Sequence, residues 1–458
     1  MSNRCILEGE ETMRRPAFAL ALAALGALAP GLGSVAHAQE TAEARPGRTL
    51  QLDEVERAAV EHQPQLLVAR AATRVAEGQA EQVRSPLLPQ VTGTAAYTRE
   101  TGNFVVRPGV VSPGTTGWNL GRSFDYWNFG VTAGQLIYDF GQTYERYKSA
   151  RSSVDAQRYQ EQTTRLQVIY AVRRTYFNAR AMKELVDVAR ETLDDQNKHL
   201  TQVEAYVTVG TQAPIALATQ RAAVANARVQ LINSQNNYET AKAQLNQAAG
   251  FVGGTDYDVG DEEIARVDDE DQPLQTLVDK ALAARPELAT LHKQIDAQAQ
   301  SLSSAKAGYG PALSAAAGAT EQGTALDTLV PNWSAGLVAT WAVFQGGLTT
   351  GQVHQAEAAL DSIGAQRSLE ELQVRLDVDT SRLAVRAAKA TIGAAQDAAT
   401  NAHEQLRLAE QRFATGVGNI IELTDAQVVY TSAAAQLVES RYALSAARAQ
   451  LLAALGRT

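Results

Sequence analysis

Cysteine is almost missing from this chain: its 458 residues include one, Cys5. That excludes an internal disulfide framework and a cysteine-ligated metal centre. Proline is absent between Pro113 and Pro214, between Pro214 and Pro273, and after Pro331. Such gaps permit long uninterrupted helices. Aromatic residues make up only 6 % of the chain, and charge about a fifth, with alanine abundant. Positive charge is outweighed, giving a net −9, which argues against nucleic acid, whose binding needs a basic face. Beyond residue 38 no apolar run approaches the length of a spanning helix, so any membrane crossing there must use strands. Signals of chemistry are equally thin. The six histidines have no ligand spacing. Asp256–Asp261 lacks the register of a calcium loop, and Asp268–Asp271 reads most simply as a solvated loop. Ser303-Ser304-Ala305-Lys306 fits Ser-x-x-Lys without any supporting motif. No catalytic residue, metal ligand or cofactor is expected, and the protein reads as a non-enzyme.

What is present begins with an export signal. Met13-Arg14-Arg15 supplies a positive start, Phe18 to Leu32 an apolar stretch, and Ala36-His37-Ala38 a small-x-small cleavage site. Residues 1–38 are therefore expected to be a signal peptide, leaving a mature chain without a thiol.

The dominant pattern is a heptad seam stated twice, 206 residues apart. Leu217, Val224, Leu231, Tyr238 and Leu245 recur every seven residues, and so do Leu423, Tyr430, Leu437, Leu444 and Leu451. Three places after most of them sits a small residue, such as Ala227, Ser234 and Ala241, or Ala426, Ala433 and Ser440. A strict seven-residue apolar repeat keeps a helix facing its partner through left-handed supercoiling, and small residues let the partner backbone approach. The duplication extends outward. Leu52, Pro64 and Pro89 match Leu274, Pro286 and Pro311 at an offset of 222, and Trp127, Gly130 and Gly141 match Trp333, Gly336 and Gly347 at 206. The difference is a longer Gly/Pro-rich loop around 101–121 in the first copy.

Each copy predicts helix, strand, loop, strand, very long helix, tight turn, helix. The helices are expected at 49–85, 142–206 and 214–249, then 274–308, 348–413 and 420–455. The long ones measure roughly 100 Å and the others roughly 55 Å at 1.5 Å per residue. Two short helices stacked end to end thus match one long helix, meeting near mid-length. The organisation is a first repeat at 39–250, an acidic connector at 251–273 with the C-terminal tail beside it, and a second repeat at 274–458.

The strands, expected at 89–100, 123–140, 311–322 and 332–345, alternate apolar and polar with a period of two. Trp333, Ala335, Leu337, Ala339, Trp341 and Val343 alternate with Asn332, Ser334, Gly336, Val338, Thr340 and Ala342. In the first copy Trp127, Phe129, Val131, Ala133 and Ile137 carry the apolar side. Trp127, Trp333 and Trp341 suit the aromatic girdles of a membrane barrel. Four strands cannot close, and an open edge is forbidden in lipid, so several chains must pool strands. The alternative is a structural or adhesive coiled-coil protein of the cell envelope whose strands form a soluble cap.

These residues resemble the TolC family of outer-membrane efflux and secretion channels over essentially the whole chain after residue 38. The resemblance is carried by the junctions Leu136-Ile137-Tyr138-Asp139-Phe140-Gly141 and Val343-Phe344-Gln345-Gly346-Gly347. It is carried also by the turns Tyr206-Val207-Thr208-Val209-Gly210 and Arg412-Phe413-Ala414-Thr415-Gly416, the latter followed by Glu422-Leu423 and Ala426-Gln427. It implies a mainly α protein whose long helices form a periplasmic α-barrel, with four strands per chain entering a trimeric, twelve-stranded outer-membrane β-barrel. It also implies a homotrimer docked to a periplasmic adaptor and an inner-membrane transporter, a passive exit duct for efflux or type I secretion. Glu422 and Asp425, three apart on one helix face, would ring the periplasmic entrance, and rings of acids select cations. Ala216 and Pro214 replace that pattern in the first copy, and Gln212 and Gly418 stand where some relatives carry a basic latch. Gly210 and Gly416 would mark the hairpin tips that an adaptor grips.

Overall fold

The computed structural model describes residues 48–101, 123–262, 264 and 266–457. The expected signal peptide and nearly all of the Gly/Pro-rich loop lie outside the described residues. The described chain packs as one compact unit.

Its elements, in order, are β1 (Thr49–Leu50), α1 (Leu52–His62), α2 (Pro64–Arg84), β2 (Gln90–Thr101), β3 (Ser123–Tyr138), α3 (Gln142–Thr208) and α4 (Pro214–Ala249). Then come β4 (Asp258–Val259), α5 (Leu274–Ala284), α6 (Pro286–Ala307), β5 (Ala312–Gly323), β6 (Val330–Thr340), α7 (Leu348–Ala414) and α8 (Ile420–Ala454). Both long helices have 67 residues.

The first helix of each repeat is broken, contrary to the expectation of one continuous helix. Gln63 and Arg285 are extended, with ψ 120° and 125°, and Pro64 and Pro286 restart the helix at its first position. Proline lacks the N–H an interior position must donate and pushes its predecessor out of the helical region. The break has a use. Gln63 Nε2 donates to the carbonyls of Gln247 and Ala248 at 3.0 and 2.8 Å, capping the end of α4. A Cβ added at Gly456 would come within 3.2 Å of the Ala284–Arg285 backbone. The short helices therefore do meet end to end at mid-length.

Neighbours along the half that carries the sheet run α2–α3–α6–α7, and along the other half α4–α3–α8–α7. The seam residues pack as their spacing requires: Leu245, Leu423 and Leu451 are fully buried, while Leu217, Leu231 and Leu437 are half-buried. Most of the small residues between them are buried as well, from Ala227, Ser234 and Ala241 to Ala426, Ala433 and Ser440.

The sheet order is β2-β3-β5-β6, antiparallel throughout. Register carries one parity across all four strands. Val91 faces Ala133, which faces Ala317, which faces Ala335; one residue along, Thr92, Thr132, Gly318 and Ser334 line up. The two faces of the sheet are thus one apolar and one polar surface. Two details differ from expectation. A bulge at Ile137 places Tyr138, not Ile137, opposite Leu313. And β6 stops at Thr340 rather than 345, because its partner β5 begins at Ala312, opposite Thr340.

The connector is more than a solvated loop. Glu270 is fully buried against Arg448 at 3.0 Å and Lys389 at 2.7 Å, and Asp269 holds Lys280 and Arg457 at 2.8 and 2.9 Å. The acids of Asp268–Asp271 therefore tie α5, α7, α8 and the C-terminal tail together. A parallel bridge, Thr49 to Asp258 and Leu50 to Val259, joins the start of the first repeat to the same connector.

Candidate functional site

Two regions qualify: the hairpin tips at one end and the sheet at the other. At the first tip α3 ends at Thr208 and Gly210 turns the chain with φ +78°, a conformation that costs a side-chain-bearing residue about 1 kcal/mol or more. Thr211 and Gln212 N–H then donate to the Tyr206 carbonyl. At the second tip Gly416 has φ +77°, and Val417 and Gly418 N–H donate to the Arg412 carbonyl at 3.0 and 2.8 Å. A Cβ at Gly418 would sit 3.0 Å from the Arg412 backbone, so the turn has no room for a basic side chain there. Exposed aliphatic residues, Val209 and Ile215 at one tip and Val417 and Ile421 at the other, flank the two glycines.

Asn419 caps α8 by accepting the Glu422 N–H at 2.8 Å. The Glu422 carboxylate lies 3.2 Å from Arg412 Nε, across the hairpin in α7. Asp425, one turn on, is exposed and has no ion pair among the described residues. The two acids share an end of one helix, yet only Asp425 carries uncompensated charge. Ala216, the first-repeat counterpart of Glu422, is buried in a cluster with Val203, Leu406, Phe413 and Leu423. An acid there would be buried without a partner, which explains its absence. The two hairpins touch: Tyr206 Oη donates to the Ala414 carbonyl at 3.1 Å, with its ring centroid 5.9 Å from that of Phe413.

At the sheet, Trp333, Leu337 and Trp341 are exposed along one edge. Trp341 Nε1 donates to the Tyr309 carbonyl at 3.1 Å, just past the end of β6. Trp127 is half-buried, 4.6 Å from the Tyr97 ring and 6.3 Å from Phe129. No helix among the described residues is long and apolar enough to cross a membrane. The strand-to-helix junctions turn through positive φ at Phe140–Gly141 and Gly346–Gly347. The Phe140 ring covers Gly310, where a Cβ would come within 2.6 Å of it.

Other candidates find structural uses. Ser303 and Ser304 donate to the carbonyls of Ala299 and Gln142, and Lys306 pairs with Glu357 at 3.2 Å. His199 pairs with Glu410 at 3.2 Å.

Residues 56–251 and 277–457 match the outer membrane efflux protein family. The chain belongs to that family. It is 24% identical over 416 residues to the pyoverdine export outer membrane protein OpmQ of Pseudomonas aeruginosa, covering 80% of this chain and 84% of OpmQ. It is 23% identical over 410 residues to the outer membrane protein TolC of Escherichia coli, covering 86% and 79%. Its fold resembles the CmeC outer membrane channel of Campylobacter jejuni, with a TM-score of 0.76 at 19% identity over 88% of this chain and 85% of CmeC. VceC of Vibrio cholerae gives 0.75 at 20% identity over 89% and 96%. The chain is thus an outer membrane efflux protein with a long helical body. Its helix-and-strand architecture is that of the TolC-like channels.

Sequence reasoning missed the Arg412–Glu422 pair, the connector's buried carboxylates and the β1–β4 bridge. The Asn419 cap was legible, since asparagine three residues before an acid at a helix start is a known signal.

Proposed function

We propose that three copies of the chain pool their sheets into a twelve-stranded barrel and their helices into a periplasmic duct. The duct passes cargo delivered by an inner-membrane transporter through a periplasmic adaptor that grips the tips at Gly210 and Gly416. One observation carries this reading: a four-stranded sheet with one mainly apolar face and, among the described residues, two unpaired edges. Such a sheet is stable in lipid only when closed by other chains. Twelve strands leave a lumen that eight would fill with side chains. The polar face, with Thr92, Thr132 and Ser334, then lines water. The protein adds no chemistry; the energy comes from its partners.

At the far end Glu422 and Asp425 ring the periplasmic entrance. Arg412 neutralises part of the Glu422 charge, so Asp425 dominates the gate. In planar bilayers the wild type should show small cation-selective conductance blocked by trivalent cations from the periplasmic side, because rings of acids bind multivalent cations. Asp425→Asn should weaken block and selectivity more than Glu422→Gln, and the double variant most of all, with assembly intact. Unchanged block in the double variant would reduce both acids to ordinary helix-start residues favoured by the helix dipole.

A further inference from the structure

Beside the sheet, each long helix carries two lines of residues at seven-residue spacing, and the lines differ in chemistry. On α3 the first is Tyr144, Arg151, Arg158 and Arg165, all exposed; it ends at Val172, buried with α1 and the connector. At the repeat offset α7 has Thr350, Glu357, Gly364 and Glu371, ending at Val378, buried with α5. This line continues the apolar side of the sheet. Trp341 Nε1 donates to the Tyr309 carbonyl, and Tyr309 Oη lies 3.1 Å from Thr350 Oγ1. Two residues further along, about 200° round the helix, runs the second line. It is Arg146, Ser153, Gln160, Gln167 and Arg174 on α3, and Gln352, Ala359, Gln366, Gln373 and Thr380 on α7. All but Ala359 are exposed, and neither stretch holds an acid. The second line continues the polar side of the sheet, the side that meets water in a closed duct. Its only charges are arginines.

Arg146 sits in the second turn of α3, where the helices meet the sheet, and enters no ion pair among the described residues. The acids at its level are committed elsewhere: Asp139 accepts the Thr143 N–H at 2.8 Å, and Glu145 holds Lys148 at 2.7 Å. Arg146 lines a cleft of ≈ 430 Å³ with Gln298 and Ser301 of α6 and Gln352 and Gln355 of α7. On its other side it shares a second cleft with Gln79 of α2. The N-termini of α3 and α7, at Gln142 and Leu348, add their positive ends at the same level. An unpaired guanidinium among amides and hydroxyls is a set of donors in search of an anion, and its planar fork matches a carboxylate bidentately. We propose that Arg146 is a cargo-binding residue: three copies form an arginine collar at the exit end of the helical duct that engages carboxylate groups on the cargo. This rests on the three-copy duct proposed above and adds a second selectivity element, opposite in sign to the entrance acids. The collar and the tips lie roughly 90 Å apart along α3 at 1.5 Å per residue, far beyond the ~10 Å over which charges act through saline. The two rings therefore act independently, and the exit ring favours anions.

The test is block by citrate, a tricarboxylate, of the full-length channel in planar bilayers. Citrate added on the barrel side should reduce the wild-type conductance. Arg146→Gln should raise the half-blocking concentration about tenfold, and Arg146→Lys, which keeps the charge but loses the fork, should fall between. Arg151→Gln removes an equally exposed arginine with no ion pair, but from the outward line, and should leave the block unchanged. In the Glu422→Gln, Asp425→Asn background the reversal potential in a salt gradient should turn toward anions, and adding Arg146→Gln should abolish that preference. A wild-type current indifferent to citrate overturns the proposal. So does a block that Arg146→Gln leaves intact or that Arg151→Gln abolishes. Each of these results needs a conducting channel and leaves the duct reading standing. A chain that forms no conducting oligomer overturns that reading, and this inference with it.

Discussion

Glu270 shows what single residues in this molecule have to balance. Burial works to raise its carboxyl, but hydrogen bonds and charge from Arg448 and Lys389 outweigh that and hold it below the ordinary carboxylate range. Asp269 is held low too, chiefly by Lys280. A carboxyl depressed in the folded state contributes stability above its unfolded value near 4.3, and that stability is lost as pH falls through the lower folded value. The connector should therefore loosen only in strong acid, below about pH 4. Arg448→Ala leaves Glu270 buried with Lys389 but without its guanidinium partner and should cost about 1.5–3 kcal/mol at neutral pH. Glu270→Gln should flatten the fall in melting temperature on acidification. A melting curve with the same acid dependence as the wild type would mean the node does not hold the fold. The sequence showed a run of acids; it could not show that Lys389, 118 residues beyond Asp271, and Arg448, 178 beyond Glu270, fold back onto it.

At the scale of elements, the long helices and their seams were readable because a seven-residue period has one structural meaning. The same reading ran past Pro64 and Pro286. Proline at a helix start and proline in a helix interior look alike until the neighbour's backbone is known, and here that neighbour is the end of a different helix. The seam grades its own energetics. Leu423 is fully buried in the tip cluster with Phe413 and Ala426, while Leu437 is half-buried against the alanine cluster of Ala399, Ala402 and Ala433. Leu423→Ala should cost about 3 kcal/mol, within the range for buried leucines, and Leu437→Ala clearly less. Thermal unfolding of the purified channel measures both. Equal losses would show that Leu437 gains burial in the oligomer that a single chain does not reveal. Leu437→Asp places a charge in that seam and should disrupt assembly outright.

The whole molecule is organised by an incompleteness that sequence alone reveals only halfway. Alternation identified an apolar strand face, and register now shows that face to run across all four strands. Closure was legible only as a need: four strands cannot close a barrel alone, but alternation within a strand does not say what each outer edge meets. The distinction between faces has a direct consequence for insertion. Leu337 belongs to the apolar face opposite Ala315, and Ser334 to the polar face opposite Gly318. An arginine on the lipid side of a barrel costs about 2–4 kcal/mol near the midplane, whereas a lumen position tolerates charge. Leu337→Arg should sharply reduce the heat-modifiable oligomer in outer membranes, and Trp341→Arg should do so less, being nearer the interface. Ser334→Arg should insert normally and alter conductance instead. If Ser334→Arg blocks insertion while Leu337→Arg does not, the faces are reversed. The polar threonine and serine rows would then point at lipid, and the barrel built here from parity would have to be turned inside out.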